Sequence, residues 1–385
     1  MLRYFFAFLL LMHGLIHFMG FSKAFGYGKV TQITAEISKT AGIFWILTAF
    51  FFIATTIFFL AKVEWWWTIA IVSLLMSQVL VFTDWQDAKY GTIANVIILL
   101  GSVIAFGEWN FERSYKSDVQ HEFKRSANSQ PEVLTEGDIK ELPAAVQNYL
   151  HYVGVVDQPK VHNMKVLFEG EMRGKDKDWF QVDGEQHNFF DVFSRLFFMK
   201  AKIHGIKVPG YHRYINGNAV MDIRLFGLMP INKTTGDKMN RAETVTLFND
   251  MCLMAPATLV DKRIKWEEID PNTVKATFAV NDIVINAILY FNNKGQLINF
   301  VSDDRYVLPE GKNYRFSTPV KGYRNINGYN LNSAGEAVWQ YPDGEFTYGK
   351  IRIRDIQYNK GLVDLKGAAV PNAQNLIDEA MTNAQ

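Results

Sequence analysis

Four long apolar stretches lie in the first 108 residues of the chain, at 3–20, 41–62, 65–83 and 91–108. A helix needs about 20 mostly apolar residues to cross a lipid bilayer. The first stretch lacks a small-x-small cleavage site and further apolar stretches follow it closely, so it does not have the form of a cleavable signal peptide. The pattern therefore predicts an all-α bundle of four transmembrane helices over residues 1–109.

Polar and charged residues dominate the next segment, 110–133, which ends close to a proline. This composition is typical of a linker, and an extension of the last apolar helix is the alternative. Further on, Pro143 suits the first turn of a helix and Gly154 suits its C-terminal cap. These signals predict a short amphipathic helix at the start of a soluble domain, 134–369. A C-terminal tail, 370–385, is expected to form a short helix or to fray.

After this helix, apolar and polar residues alternate with a period of two, as in strands that bury one face. The clearest hairpin turn is 292–295, because asparagine and glycine tolerate the left-handed backbone conformation. One helix interrupts the strands: Asn240-Arg241-Ala242-Glu243 resembles a capping box, and an apolar run continues to about Leu259. The predicted strands are 161–170, 179–187, 196–204, 211–223, 273–280, 283–291, 297–306, 334–340 and 347–358.

Many short antiparallel strands with one inserted helix predict an α+β fold for the C-terminal domain. In it, a large curved sheet resembling half a barrel holds the helix on its concave face. Charge supports the division into two parts: residues 1–108 contain 6 Lys/Arg and 5 Asp/Glu, whereas the remaining 277 residues contain 34 of each. The apolar interior of such a sheet could hold a lipid.

Composition excludes several classes of protein. The chain has 40 Lys and Arg against 39 Asp and Glu, a net charge of +1. Proteins that bind nucleic acid normally show a clear basic excess, so we expect no nucleic-acid partner. The single cysteine excludes a disulfide framework and a cysteine-based zinc site. We expect neither a metal nor a cofactor.

Lysine and arginine residues beside the predicted helices give a small bias in membrane orientation. With four helices both termini lie on one side, which carries six cations, Arg3, Lys62, Arg113, Lys116, Lys124 and Arg125. The opposite side carries four, Lys23, Lys29, Lys39 and Lys89. The positive-inside rule therefore favours a β domain in the cytoplasm.

Two polar features within the membrane block are candidate sites. His13 and His17 are four residues apart and share one face of the first helix, where ionisable groups are costly and often mark a site. They could bind a metal or haem, but a metal needs further ligands. The favoured interpretation is that they make polar contacts between helices or extend toward the loop 21–40. Asp84 and Asp87, in the turn 83–91, could complete a His2Asp2 cluster, although a solvated turn that caps the fourth helix is favoured.

Charged and aromatic residues within the predicted strands are the candidate ligand-binding residues of the β domain. Arginine beside tyrosine could grip an anionic head group, and carboxylate pairs beside arginine could act as general acids and bases. A cross-strand ladder of ion pairs on the solvent face is the favoured alternative. Alternation places Arg305 on a buried face, so we expect it to pair with Glu171 or Asp303. The candidates are Glu171, Arg173, Arg213, Tyr214, Asp303, Arg305 and Tyr323.

A string of short motifs runs from Leu142 to about Tyr358. It comprises Leu142-Pro143, Tyr149-Leu150, Gly154, Gly170-Glu171-Met172-Arg173, Trp179, Glu185-Gln186, Arg213-Tyr214-Ile215-Asn216-Gly217, Arg241, Asp303-Asp304-Arg305-Tyr306, Gly322-Tyr323-Arg324, Glu336-Ala337-Val338-Trp339, Pro342-Asp343-Gly344 and Phe346-Thr347-Tyr348. This region resembles an uncharacterised bacterial family, a domain of unknown function. The membrane half is similar to small multipass bacterial proteins with His-Gly-Leu-Ile-His. The resemblance implies a fold and a bacterial source, and no activity.

Three functional hypotheses follow from the sequence, which has no phosphate-binding loop, nucleophile elbow or His-Glu-x-x-His motif. The first is a β domain anchored in the bacterial inner membrane that binds or handles a lipid or another amphipathic molecule taken from the membrane lipids. The second is a membrane-bound enzyme acting on an apolar substrate, with Glu171, Arg173, Asp303 and Arg305 converging on it. The third is an assembly partner of an envelope protein.

Overall fold

The computed structural model describes residues 2–126 and 132–361, and the chain divides into two compact units. The helical unit comprises Met1–Arg113 and the short segment Phe226–Leu228. The β domain comprises Ser114–Leu225 and Met229–Gln385. The predicted C-terminal tail, 370–385, lies outside the described residues.

The helical unit consists mainly of apolar helices. The helices are α1 (Leu2–Ile16), α2 (Phe18–Phe25), α3 (Lys39–Leu60), α4 (Trp66–Thr83), α5 (Trp85–Ala88) and α6 (Gly91–Arg125), whose residues from Ser114 onward belong to the β domain. Among the residues that the structure describes, four segments are long and apolar enough to cross a membrane: Leu2–Phe25, Lys39–Leu60, Trp66–Thr83 and Gly91–Arg125. Within the predicted linker, residues 110–125 are helical, as in the alternative that extends the last helix.

The β domain combines short helices with many strands. Its further helices are α7 (Glu136–Ile139), α8 (Ala144–Val153) and α9 (Asp237–Met254), and a 3₁₀ helix spans Pro256–Val260. Its strands are β1 (Asn163–Met172), β2 (Phe180–Phe189), β3 (Ser194–Ile203), β4 (Ile206–Ile215), β5 (Asn218–Leu225), β6 (Met229–Thr235), β7 (Ile264–Asp270), β8 (Thr273–Val280), β9 (Ile283–Phe291), β10 (Leu297–Ser302), β11 (Tyr306–Val307), β12 (Lys312–Asn313), β13 (Arg315–Ser317), β14 (Val320–Ile326), β15 (Tyr329–Tyr341) and β16 (Gly344–Tyr358).

One large antiparallel sheet organises this domain. Its strand order is β6-β5-β4-β3-β2-β1-β16-β15-β13-β10-β9-β8-β7, β14 pairs with β15, and β11 and β12 form a separate two-stranded sheet. Helix α9 contacts β5 and β6 in one half of the sheet and β9 and β10 in the other. The amide of Asn281 donates to the carbonyl oxygen of Asn216 at 2.9 Å, which joins the β8–β9 turn to the β4–β5 turn. The sheet therefore curves around α9.

Aromatic residues hold α9 against the sheet. Phe248 is fully buried and stacks on Phe278 of β8 with ring centroids 4.9 Å apart. Its ring also meets Phe300 of β10 edge to face. Burial of each large apolar side chain stabilises a fold by about 1.5–3 kcal/mol, so these contacts anchor the helix that forms one wall of the cavity described below.

Local signals in the sequence predict several elements correctly. Helix α8 is confirmed between Pro143 and Gly154, and Gly154 adopts the left-handed conformation of a C-terminal cap, with φ of +81°. The turn 292–295 is also confirmed, with Gly295 at φ of +77°. Both predictions rest on residues whose backbone preferences act within one turn of chain.

Three local predictions are wrong. The predicted strand 297–306 ends at Ser302 in β10, so Arg305 lies beyond the strand. The predicted strand 211–223 is a hairpin, because Asn216 and Gly217 adopt positive φ angles and reverse the chain between β4 and β5. Helix α9 begins at Asp237 after Gly236, so Glu243 is not part of a capping box and lies buried further along the helix. The capping-box pattern was misleading because the real helix starts one turn earlier.

Candidate functional site

A cavity of about 440 Å³ lies within the β domain, between α9, the segment 305–309 and the inner face of the sheet. This volume is within the range of about 300–1,000 Å³ that is common for small-molecule sites. Most of its lining is apolar and includes Phe168, Met172, Phe180, Met199, Ile223 and Ile351. The cavity is therefore the candidate functional site.

Polarity changes along the strands that line the cavity. On β3, Arg195, Phe197 and Met199 alternate onto the same face. Phe197 is paired with Gln186 of β2 and with His212 of β4, so polar side chains from three strands collect towards the Arg195 end. With a rise of about 3.3 Å per residue, Arg195 and Met199 are about 13 Å apart along the strand. Along β3 the cavity wall therefore has a polar end at Arg195 and an apolar end at Met199.

Arg195 is the centre of the polar end. Its side chain is buried, and its guanidinium donates from Nε to Asp250 Oδ2 at 2.7 Å and from Nη1 to Glu243 Oε2 at 3.0 Å. A third bond, from Nη2, reaches Gln186 Oε1 at 2.9 Å. The planar guanidinium can serve three acceptors at once because its N–H groups point in fixed directions.

Both carboxylates beside Arg195 have additional donors. The side-chain amides of Gln186 and Asn188 donate to Asp250 Oδ2 at 2.7 and 3.1 Å. His212 Nδ1 lies 3.1 Å from Glu243 Oε1, and because an ionised carboxylate only accepts, this nitrogen carries the proton. Buried charges are tolerated when they are paired and hydrogen-bonded in this way.

The two buried carboxyl groups have pKa values shifted in opposite directions. Burial by itself raises the pKa of Glu243, but the charge of Arg195 and the hydrogen bond from His212 outweigh burial and lower the pKa to about 2. At Asp250, burial outweighs Arg195 and the amide donors, and the pKa is raised above its ordinary value. The difference arises because the charges of His212 and Arg305 also act on Glu243, whereas the additional donors to Asp250 are neutral amides.

These shifts predict opposite effects of acid on two variants. The stability contributed by Glu243 is complete above its ordinary pKa of 4.5 and is lost as the pH falls toward 2. Between about pH 5 and about pH 2, the Glu243→Gln variant should therefore lose on the order of 2–3 kcal/mol less stability than the wild type. Thermal unfolding of the full-length protein in detergent across this pH range measures the effect.

Asp250 provides the matched control with the opposite sign. A carboxyl group with a raised pKa stabilises the fold below its ordinary value, here 3.8, and that stability is lost as the pH rises through the folded pKa. The Asp250→Asn variant should therefore lose more stability than the wild type as the pH falls. Equal acid dependence in the wild type and both variants would show that neither carboxyl group changes its pKa on folding.

Arg305 is the sequence-predicted candidate that lines this cavity. Its Nη1 donates to the Tyr348 hydroxyl at 2.7 Å and its Nε to the Thr246 hydroxyl at 3.3 Å. The guanidinium carbon lies 4.2 Å from the ring centroid of Phe316 and 5.0 Å from that of Trp339. The expected pair with Glu171 or Asp303 is wrong, because the sheet register gives both carboxylates other partners.

Those partners lie away from the cavity. Glu171 pairs with Lys350 of β16 at 3.0 Å, and Asp303 pairs with Arg315 at 2.9 Å. Arg173 donates to the carbonyl oxygen of Thr347, and its guanidinium lies over the ring of Trp179. These residues form cross-strand and loop contacts, so the four residues of the enzyme hypothesis do not converge on one site.

The remaining candidates in the β domain make structural contacts. Arg213 points to the opposite face of β4 from His212 and pairs with Asp118 of α6 at 3.0 Å. The Tyr214 hydroxyl is 2.9 Å from the Thr244 hydroxyl in the core beneath α9. Tyr323 donates to the carbonyl oxygen of Leu297 at 2.7 Å.

The histidine pair of the helical unit joins three helices. His13 Nε2 lies 2.9 Å from Asn95 Oδ1 of α6, and His17 Nε2 lies 3.0 Å from Ser77 Oγ of α4. His17 Nδ1 also lies 2.7 Å from the His13 carbonyl oxygen. These are the polar interhelical contacts of the favoured interpretation.

The two aspartates after α4 have their own donors. Asp87 accepts from the backbone N–H and hydroxyl of Thr34, and Asp84 accepts from the hydroxyl of Thr83. Within residues 2–126 and 132–361, no three His, Cys, Asp or Glu side chains form a group that could hold a metal. The His2Asp2 cluster that the sequence allowed is therefore not formed.

Sequence reasoning did not single out Arg195, Glu243 and Asp250. The predicted strand 196–204 began one residue after Arg195, so its place on a buried face with Phe197 and Met199 was missed. A signal was present: an arginine that continues an alternating apolar pattern must be paired. Glu243 and Asp250 are seven residues apart, two turns of α9, which puts them on one helix face.

Comparisons with known proteins place the chain in a family. Residues 132–351 match the model of DUF6544, a family of unknown function, and no curated protein matches the chain. A crystal structure of a LolA superfamily protein from Nitrosomonas europaea is similar at 9% identity and a TM-score of 0.35, covering 56% of this chain and 94% of that chain. The match to the family model confirms the resemblance seen in the sequence and spans more than half of the chain, which therefore belongs to the DUF6544 family of unknown function.

Proposed function

We propose that this protein binds a lipid or another amphipathic molecule in the cavity of its β domain. The observation that carries the proposal is the change of polarity along the cavity, from the Arg195 network to the apolar end around Met199. An amphipathic molecule matches both ends at once. A purely polar solute would leave the apolar end unsatisfied.

The apolar end suits a flexible hydrocarbon chain. Four methionines line the cavity, Met172, Met199, Met221 and Met254. Methionine side chains are unbranched and polarizable, so they adapt to irregular apolar groups. Each buried CH₂ group of a ligand contributes about 0.8 kcal/mol, which makes a chain of several carbons a strong source of affinity.

We propose further that the helical unit is a multi-pass anchor in a bacterial cytoplasmic membrane. Four helices with the length and apolarity of membrane spans support an anchor, and the excess of Lys and Arg on the side of the termini supports a β domain in the cytoplasm. The curved sheet with its inserted helix would then take its ligand from the lipids of the adjacent bilayer.

Native mass spectrometry of the full-length protein, purified in a mild detergent, tests the proposal directly. We expect a bound species whose mass is that of a lipid, released at higher collision energy. Extraction of the purified protein with organic solvent should recover the same species. A protein that carries no lipid after purification, and that takes up none from added membrane lipids, would contradict the proposal.

Filling the apolar end should abolish binding without unfolding the domain. Ile223 of β5 lines the cavity and is half-buried, so Ile223→Trp places extra volume where the hydrocarbon chain would lie. The matched control is Ile269→Trp, the same change at a 53% exposed position of β7. We expect Ile223→Trp to lose most of the bound lipid and Ile269→Trp to retain it. Equal lipid content in both variants, with equal melting temperatures, would show that the lipid binds outside this cavity.

A further inference from the structure

We infer that the bound molecule carries an anionic head group, a carboxylate or a phosphate, which pairs with Arg305. This inference rests on the proposed function and names its ligand class. The two arginines that line the cavity, Arg195 and Arg305, differ in the charge of their hydrogen-bond partners.

The positive charge of Arg195 is neutralised by carboxylates of the protein itself. Two of its three hydrogen bonds go to the carboxylates of Glu243 and Asp250. Glu243 is also hydrogen-bonded to His212, so each of its oxygens already has a donor. The positive charge of Arg195 is therefore balanced by carboxylates without a ligand.

The hydrogen-bond partners of Arg305 are neutral, although its charge also acts on the Glu243 carboxylate. Within residues 2–126 and 132–361, its hydrogen bonds go to the hydroxyl groups of Thr246 and Tyr348. A guanidinium has five N–H donors, and these two bonds use one from Nε and one from Nη1. Three N–H groups remain, including both on Nη2. The free N–H groups on Nη1 and Nη2 can donate to the oxygens of a carboxylate or phosphate.

Aromatic rings hold the guanidinium of Arg305 in place. Its central carbon lies 4.2, 5.0 and 5.8 Å from the ring centroids of Phe316, Trp339 and Tyr348. Such contacts orient the cation and attract it without removing its charge. The site thus presents a fixed positive charge on the wall of a largely apolar cavity, where it attracts an anion more strongly than it would in water.

Binding of a fluorescent fatty acid to the full-length protein in one nonionic detergent tests the inference. The probe is cis-parinaric acid, and its methyl ester is the uncharged analogue with the same hydrocarbon chain. We expect Arg305→Gln to weaken binding of the acid by about tenfold or more, as loss of a charged hydrogen-bonded pair does. Binding of the ester should change little. Arg305→Lys should give an intermediate loss, because lysine keeps the charge and lacks the planar fork.

Control measurements distinguish an anionic lipid head group from a free anion. Arg315→Gln, which removes an exposed arginine paired with Asp303, should bind the acid as the wild type does. Lysophosphatidic acid should compete with the probe, and inorganic phosphate at the same concentration should not. Displacement by phosphate alone would assign the site to a free anion and overturn the inference.

The remaining outcomes are also decisive. If the acid and the ester bind the wild type equally well, or if Arg305→Gln has no effect on the acid while its melting temperature is unchanged, the head-group inference fails and the proposed lipid binding stands. If neither probe binds the wild type and lysophosphatidic acid is not retained, the proposed function fails as well.

Discussion

Replacing Arg195 by methionine is expected to lower the free energy of unfolding of the β domain by about 3–5 kcal/mol. The change leaves the carboxylates of Glu243 and Asp250, each 4% exposed, without the cation that both are bonded to. Methionine matches the length of the arginine stem, so the loss reports the missing charge more than missing volume. Thermal and denaturant unfolding of the full-length protein, followed by tryptophan fluorescence, measure the change.

Two variants test the cause of this loss. Arg315→Met removes an arginine that is 54% exposed and paired with Asp303, and it should cost no more than about 1 kcal/mol. Adding Glu243→Gln and Asp250→Asn to Arg195→Met should restore part of the stability, because no buried charge then remains unpaired. A single Arg195→Met variant as stable as the wild type would mean that these carboxylates do not depend on Arg195.

Gly170→Val is expected to destabilise the β domain by about 3 kcal/mol. A Cβ atom at Gly170 would overlap the carbonyl oxygen of Lys350 on the neighbouring strand β16. Valine is normally favourable in a strand, so the loss would come from this overlap and not from strand propensity. The same unfolding measurements apply, with circular dichroism to follow the loss of sheet.

Gly174→Val is the matched control in the turn after β1. There an added Cβ would lie 3.4 Å from Lys177 Cγ, an ordinary contact with a flexible side chain. We expect a change within about 0.5 kcal/mol. Equal stability of the two valine variants would show that β1 and β16 can separate enough to admit a side chain, against the close pairing of these strands.

That close pairing also explains part of the motif string in the sequence. Gly170 belongs to Gly170-Glu171-Met172-Arg173, and the structure gives each polar member a role in joining β1 to its neighbours. Glu171 and Arg173 were candidates for ligand binding on sequence grounds. Their contacts with Lys350 and Thr347 instead support the pairing of the first and last strands of the sheet.

The sequence alone predicts elements that depend on neighbouring residues. Apolar length predicts the four long helices, Pro143 and Gly154 bound α8, and the turn 292–295 defines one hairpin. Strands with one buried face, such as β8 and β9, are predicted to the residue because alternation records burial directly. In each case the deciding interactions span a few residues of chain.

The sequence pattern does not predict the strands at the two edges of the sheet. Strands β6 and β7 were not predicted, and they are the two ends of the strand order. Most of their residues are exposed or half-buried, so little alternation marks them. An edge strand is defined by hydrogen bonds to its neighbour, which leave no pattern in its own residues.

Only the tertiary structure decides the site. Pairing of β1 with β16 joins residues almost 200 positions apart, and α9 brings Glu243 and Asp250 against Arg195 from another part of the chain. The alternation used to place Arg305 does not extend to it, because β10 ends at Ser302. The sequence also could not show that Tyr348, Phe316 and Trp339 would surround Arg305. The periodicity of a sequence records which side chains are buried. Which buried groups meet depends on strand order and register, and these are determined by contacts between distant segments.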